Sequence, residues 1–205
     1  MAKDSREAFL KKTLRRGLLE TGRRLVVANG ADFLTARKLS EASHCSVGSI
    51  YNLFSNMDAF ILELNLTTLD VLYARLQKLL PDASPYINLN RYMDVFVVYL
   101  MNNRNLWKLL FDYHLRCGEK KLPLAYLRRL NKITALCEGQ FNEIFTALNR
   151  MEKKLSWQVL WQALFSLASF LSAQGPQHFN RVSQQNICKL LLNTYLGGMA
   201  ALKRS

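Results

Sequence analysis

Hydrophobic residues recur along this chain at three- and four-residue intervals, the period of helices with one buried face. Over residues 5–28, Leu10, Leu14, Leu18, Thr21 and Leu25 form an inward stripe. Lys11, Lys12, Arg15, Arg16, Arg23 and Arg24 crowd the remaining surface. Asn29-Gly30 ends this first helix, since both residues tolerate the left-handed backbone that closes helices. After the short apolar loop Ala31 to Leu34, Thr35 is placed to cap a short second helix reaching Ser43, with Leu39 inward. Ser43, His44 and Cys45 make a tight break, and Ser46 caps a third helix. Its sequence, SVGSIYNLF over 46–54, contains a conflict. Val47, Ile50, Tyr51 and Phe54 fall at i, i+3, i+4 and i+7 and read as a buried stripe, with Tyr51 a core aromatic. Gly48 interrupts that stripe, although glycine costs a helix about 1 kcal/mol relative to alanine.

Ser55-Asn56 breaks and recaps the chain for a long helix to about Leu80, with Asp58 in the first turn. Its helical spacing places Phe60, Leu64, Thr67, Val71 and Ala74 on one side. The segment from Pro81 to Pro85 reads as a linker. Further helices are predicted near 86–101, 104–117 and 122–149, broken around Asn102-Asn103 and Gly118. Two more, near 152–173 and 180–202, are separated by Gly175-Pro176 and are unusually apolar. Trp157, Leu160, Trp161, Leu164, Leu167, Ala168 and Leu171 line the first; Ile187, Leu191, Leu192, Tyr195, Leu196 and Met199 line the second. Nine glycines and four prolines are few for a turn-rich β fold, so the chain reads as all-α.

Charge narrows the function. The net charge of +13, from 28 Lys and Arg against 15 Asp and Glu, fits a polyanionic partner. That partner is nucleic acid or an anionic membrane surface. No uncharged apolar run reaches the roughly 18 residues of a spanning helix, so no spanning helix is expected, and no membrane is finally counted among the partners. The opening residues lack a secretory apolar region and cleavage site. Cys45, Cys117, Cys137 and Cys188 are scattered and read as reduced, mainly buried thiols of a cytoplasmic protein. Glu41-x-x-His44 matches half of a di-metal carboxylate motif, but it occurs once and at the turn. His44, His114 and His178 form no local zinc pattern, and no phosphate-binding glycine loop or nucleophile elbow occurs. No metal, cofactor or catalysis is expected.

Two short helices joined by a three-residue turn, behind a long basic helix, make a helix-turn-helix over about 35–54. In such a pair the second helix presents its N-terminal residues to base edges in the major groove. That arrangement turns Leu39, Cys45, Ile50, Leu53 and Phe54 inward and Ser46, Val47, Gly48, Ser49, Tyr51 and Asn52 outward. It is incompatible with burying Val47 and Tyr51.

The run LTARKLSEASHCSVGSIYNLFSNMDAF (34–60), preceded by LLETGRRLVVANGADF, resembles the DNA-binding domain of the TetR family of bacterial transcriptional repressors. The matching pieces are the first helix ending in Asn-Gly, Leu-Thr-x-Arg-Lys-Leu, Gly-Ser-Ile-Tyr, and the Phe54-x-x-x-Asp-Ala-Phe60 entry to the fourth helix. Later helices match only in number, length and order. The resemblance implies an all-helical homodimer, with a DNA-binding domain over 1–55 and an effector-binding and dimerisation domain over 56–205. It implies operator DNA as partner and a small-molecule effector that alters the spacing of the two reading heads. Carried over by position, Arg37, Val47, Gly48, Ser49, Tyr51 and Asn52 are expected at DNA and Thr35 at a phosphate. Their chemistry agrees. Arg37 suits guanine O6 and N7 or a phosphate, Asn52 an adenine edge and Val47 a thymine methyl. Thr35, Ser46, Ser49 and Tyr51 offer hydroxyls to phosphates.

Three positions depart from the pattern. His44 stands where glycine is usual and must take a positive φ, while Val47 and Met57 stand where the family often has a phosphate-gripping lysine. Phosphate affinity then falls to Lys11, Lys12, Arg15, Arg16 or Lys38. In the aromatic-rich second half, Trp107, Phe111, His114, Phe141 and Trp161 are the candidate effector pocket. The helices near 152–173 and 180–202 are the candidate dimer interface. The missing lysines leave an alternative: a helical small-molecule or protein-binding module without specific DNA binding.

Overall fold

The computed structural model describes residues 2–117, 122–173 and 181–202. Among them it contains nine α-helices and no strand: α1 (Ala2–Asn29), α2 (Ala36–Ser43), α3 (Val47–Leu53), α4 (Met57–Gln77), α5 (Pro85–Asn102), α6 (Arg104–Arg116), α7 (Leu124–Ile144), α8 (Arg150–Ala173) and α9 (Arg181–Leu202). A single 3-10 turn, Ala31–Phe33, follows α1. The all-α expectation holds.

Local chemistry sets the helix starts. Thr35 Oγ1 accepts the Lys38 N–H at 3.2 Å, Ser46 Oγ the Ser49 N–H at 3.1 Å, and Asn56 Oδ1 the Ala59 N–H at 2.8 Å. The helix expected over 122–149 is shorter. It ends at Ile144, and Asn149 starts α8 instead. Asn149 N–H donates to Glu152 Oε2 at 2.9 Å while the Glu152 N–H returns to Asn149 Oδ1 at 3.0 Å, a reciprocal cap strong enough to separate the two helices. The breaks read at Gly118 and Gly175-Pro176 lie outside the described residues.

The chain forms two compact units, Met1–Thr68 with Asn105–Tyr126, and Leu69–Arg104 with Leu127–Ser205. In the first, α1 packs on α2, α3 and the 3-10 turn. Its core holds Leu18, Val26, Leu34, Leu39, Ile50, Phe54, Phe60, Leu64, Leu106 and Leu109. The Phe54 and Phe60 rings meet edge to face at 4.9 Å. Gly22 brings α1 close to α4: a Cβ there would lie 2.6 Å from the Phe60 ring.

Two inward stripes differ from expectation. Leu10 and Leu14 are 57% and 40% exposed, so the buried face of α1 begins only at Leu18. On α4, burial continues from Phe60 and Leu64 through Asn65, Thr68, Leu72 and Leu76, not through Thr67, Val71 and Ala74. The inward face carries two polar residues, which hide it from a hydrophobic pattern. Thr68 satisfies its hydroxyl by donating to the Leu64 carbonyl at 3.0 Å.

In the second unit, α9 packs on α5 and α8. Aromatic rings run through its core: Phe145 on Phe141 (4.9 Å), Phe141 on Trp157 (5.8 Å), Trp157 on Trp161 (5.8 Å) and Trp161 on Phe96 (5.3 Å). Leu160, Leu164, Ala168 and Leu171 of α8 and Leu192 and Leu196 of α9 are buried, as their periodicity predicts.

Candidate nucleic-acid interface

The turn between α2 and α3 is built around His44, whose φ of 55° and ψ of 27° place it in the left-handed region. Histidine tolerates that conformation better than most residues. The Ser40 hydroxyl donates to the Cys45 carbonyl at 2.5 Å and ties the end of α2 to the start of α3. Leu39, Ile50 and Phe54 are wholly buried beneath the pair, with Cys45 and Leu53 packed against them.

That packing decides the orientation of α3. Val47 is 37% and Tyr51 43% exposed, so the simple apolar stripe, and with it the core reading of Tyr51, is overturned. Ile50 and Phe54 anchor a helix only two turns long, and Val47 and Tyr51 lie off that anchor line. Thr35, Arg37, Lys38, Ser46, Val47, Gly48, Tyr51 and Asn52 are exposed and Ser49 half-buried. The Ser46 and Ser49 hydroxyls lie 2.9 Å apart. A Cβ on Gly48 would meet nothing nearer than Ser46 Oγ at 3.8 Å, so the folded chain itself does not demand glycine there.

The cations around this surface are not equivalent. Arg37 Nε lies 3.1 Å and Lys38 Nζ 3.2 Å from the Glu41 carboxylate. Lys38, then Arg37, hold the Glu41 carboxyl below its ordinary range. The Arg37 side chain remains 88% exposed, free to exchange this partner for a phosphate or base. Lys11 pairs with Glu7 and Arg16 with Glu20 along the exposed surface of α1.

Arg15, one of the cations expected to supply phosphate affinity, is engaged within the protein. Its guanidinium forms a bidentate pair with Glu63, donates Nη1–H to the Leu53 carbonyl at 2.5 Å, and lies 4.4 Å from the Phe54 ring centroid. It therefore fastens the C-terminal end of α3 to α1 and α4. No local pattern announces a partner 48 residues away. Met57, at the other lysine position, packs half-buried against the core.

The candidate effector residues fall in both units. Trp107 is buried in the first, with Phe111 and His114 half-buried. The Tyr126 hydroxyl lies 3.4 Å from His114 Nδ1, and burial lowers the His114 pKa, which favours the neutral imidazole. Phe141 and Trp161 belong to the aromatic core of the second unit, joined through Trp157. Sequence reasoning missed Asn65. It is wholly buried on α4, and neither Oδ1 nor Nδ2 has a hydrogen-bond partner among the described residues. Nothing in its spacing distinguishes it from a surface asparagine.

All four cysteines are free thiols, and burial pushes Cys188 up to about 11 and Cys137 higher. No group of metal-ligating side chains occurs among the described residues, and no helix among them is long and apolar enough to cross a membrane.

No protein-family model and no curated protein matches the sequence. Solved structures do match its fold. A transcriptional regulator FadR from Bacillus subtilis, in complex with stearoyl-CoA, superposes with a TM-score of 0.66 at 12% identity, covering 89% of this chain and 98% of that one. FadR from Thermus thermophilus, a TetR-family repressor in complex with lauroyl-CoA, gives 0.65 at 17% identity over 90% and 94%. The TetR-family regulator PfmR, also from Thermus thermophilus, gives 0.58 at 18% identity over 87% and 96%. The fold is that of TetR-family transcriptional regulators, and these structural neighbours are regulators rather than enzymes.

Proposed function

We propose that this chain is a TetR-like transcriptional repressor that binds palindromic operator DNA as a homodimer in the cytoplasm and is released by a small-molecule effector. One observation carries the reading: α3 is anchored by Ile50 and Phe54 and leaves Val47, Gly48, Tyr51 and Asn52 exposed beside Arg37 and Lys38. The net charge of +13 supports a polyanionic partner. Residues 1–55 carry the DNA contacts; 56–205 carry the effector site and dimer interface. In the first unit Trp107, Phe111 and His114 remain candidate effector contacts, and the buried Asn65 amide, unpaired among the described residues, is a further polar candidate there. Release follows if the effector binds two head spacings with different affinity.

The test is electrophoretic retardation of palindromic duplexes selected from a random pool. One sequence should be retained far above scrambled duplex, with affinity falling steeply as salt rises. Equal affinity for both would favour a helical binding module that does not read sequence, which Val47 and Met57 at the lysine positions support.

A further inference from the structure

Where α7 meets α8 in the second unit, a cavity of about 510 Å³ is lined by Glu138, Asn142, Leu148, Arg150, Lys153 and Lys154. Its lining is costly to the fold in two ways. Arg150, Lys153 and Lys154 lie in the first turns of α8, where the helix dipole disfavours cations. None of the three has an ion-pair partner among the described residues. Glu152, the acidic residue of that turn, is engaged in the cap with Asn149. The second cost is Asn142 Oδ1, buried with no hydrogen-bond partner among the described residues. Unpaired cations at the wrong end of a helix and an unsatisfied buried acceptor do nothing for stability. Both face one concavity of a size suited to a small ligand.

We infer that this cavity binds a small hydroxylated phosphate ester, such as a polyol or sugar phosphate. Three cations against the Glu138 carboxylate leave two positive charges, which a phosphate dianion neutralises. Glu138 and Asn142 Oδ1 are acceptors and suit the ester's hydroxyl hydrogens. A bare anion leaves those acceptors unused, and a neutral polyol leaves the cations unpaired, so the mixed lining selects a ligand carrying both functions.

The experiment is isothermal titration of the full chain with glycerol 3-phosphate, inorganic phosphate and glycerol, together with a short non-operator duplex. Glycerol 3-phosphate should bind saturably, inorganic phosphate more weakly and glycerol not at all. Lys153→Ala combined with Lys154→Ala should weaken the ester about tenfold or more, with the melting temperature unchanged or raised because the helix loses opposing charges. Asn142→Leu should erase the preference for the ester over inorganic phosphate. Absence of saturable binding, or equal binding by the double variant, overturns the proposal. So does duplex binding that depends on these lysines without ester binding, which would give the cavity to a nucleic-acid backbone. The ester titrations use no operator, so they stand or fall separately from the repressor reading.

Discussion

Gly48 and Gly22 show how the same residue type answers to different neighbours. At Gly48 a Cβ would make only ordinary van der Waals contact, with Ser46 Oγ at 3.8 Å. Gly48→Ala should therefore leave stability unchanged or raise it by up to about 1 kcal/mol, since alanine favours the helix. Operator affinity should nevertheless fall at least about tenfold, because the added methyl holds α3 away from the sugar-phosphate backbone. Urea unfolding and gel retardation on the same preparation check both halves; undiminished affinity would remove the close-approach argument. At Gly22 the ordering reverses. A methyl group would meet the buried Phe60 ring at 2.6 Å, and Phe60 is itself held against Phe54. Gly22→Ala should cost about 1 to 3 kcal/mol through overpacking, read as a lower urea midpoint with an unchanged slope.

At the scale of elements, α3 is too short to hold its own orientation, and Arg15 supplies an external brace through Leu53, Phe54 and Glu63. Arg15→Ala should weaken operator binding by loosening α3 without removing a phosphate contact. The slope of log affinity against log salt should then stay at its wild-type value, whereas losing a phosphate contact lowers it by about 1. A slope reduced in Arg15→Ala would place Arg15 at the DNA instead. This brace also marks the limit of what the sequence makes legible. The α2–turn–α3 unit can be read closely because its signals are local: the Thr35 and Ser46 caps, the His44 turn, and the Leu39 and Ile50 anchors. What escapes is non-local or disguised. The Arg15–Glu63 pair spans 48 residues, Asn65 and Thr68 conceal the inward face of α4, and α7 ends at Ile144, short of residue 149, to which the sequence reads it.

For the whole molecule, the proposed reading of a palindrome requires two heads at a fixed separation, which would make the copy-to-copy contact part of the DNA site. The second unit offers a suitable face. On α8, Met151, Leu155, Val159 and Phe170 are 64%, 54%, 57% and 60% exposed, and on α9 Leu190 is 67% exposed, although the opposite sides of both helices are buried. Met151, Leu155 and Val159 follow one another at four-residue steps, a continuous apolar ridge that an isologous contact would cover. Two copies together carry a net charge of +26, twice the +13 of one, so an assembly of this kind must gain enough from apolar burial to offset their repulsion. Replacing Leu155 and Val159 together by glutamate buries two carboxylates per copy at that ridge, a cost of several kcal/mol for the pair of copies. Light scattering should show the wild type as a dimer and the variant as a monomer at micromolar concentration, with circular dichroism unchanged. The variant should keep its weak affinity for non-operator duplex, since each head is intact, but lose operator affinity by about two orders of magnitude or more, because the second half-site no longer benefits from tethering. A variant that stays dimeric would move the interface elsewhere, whereas a monomer that still binds the palindrome with full affinity would remove the dimer from the mechanism of recognition.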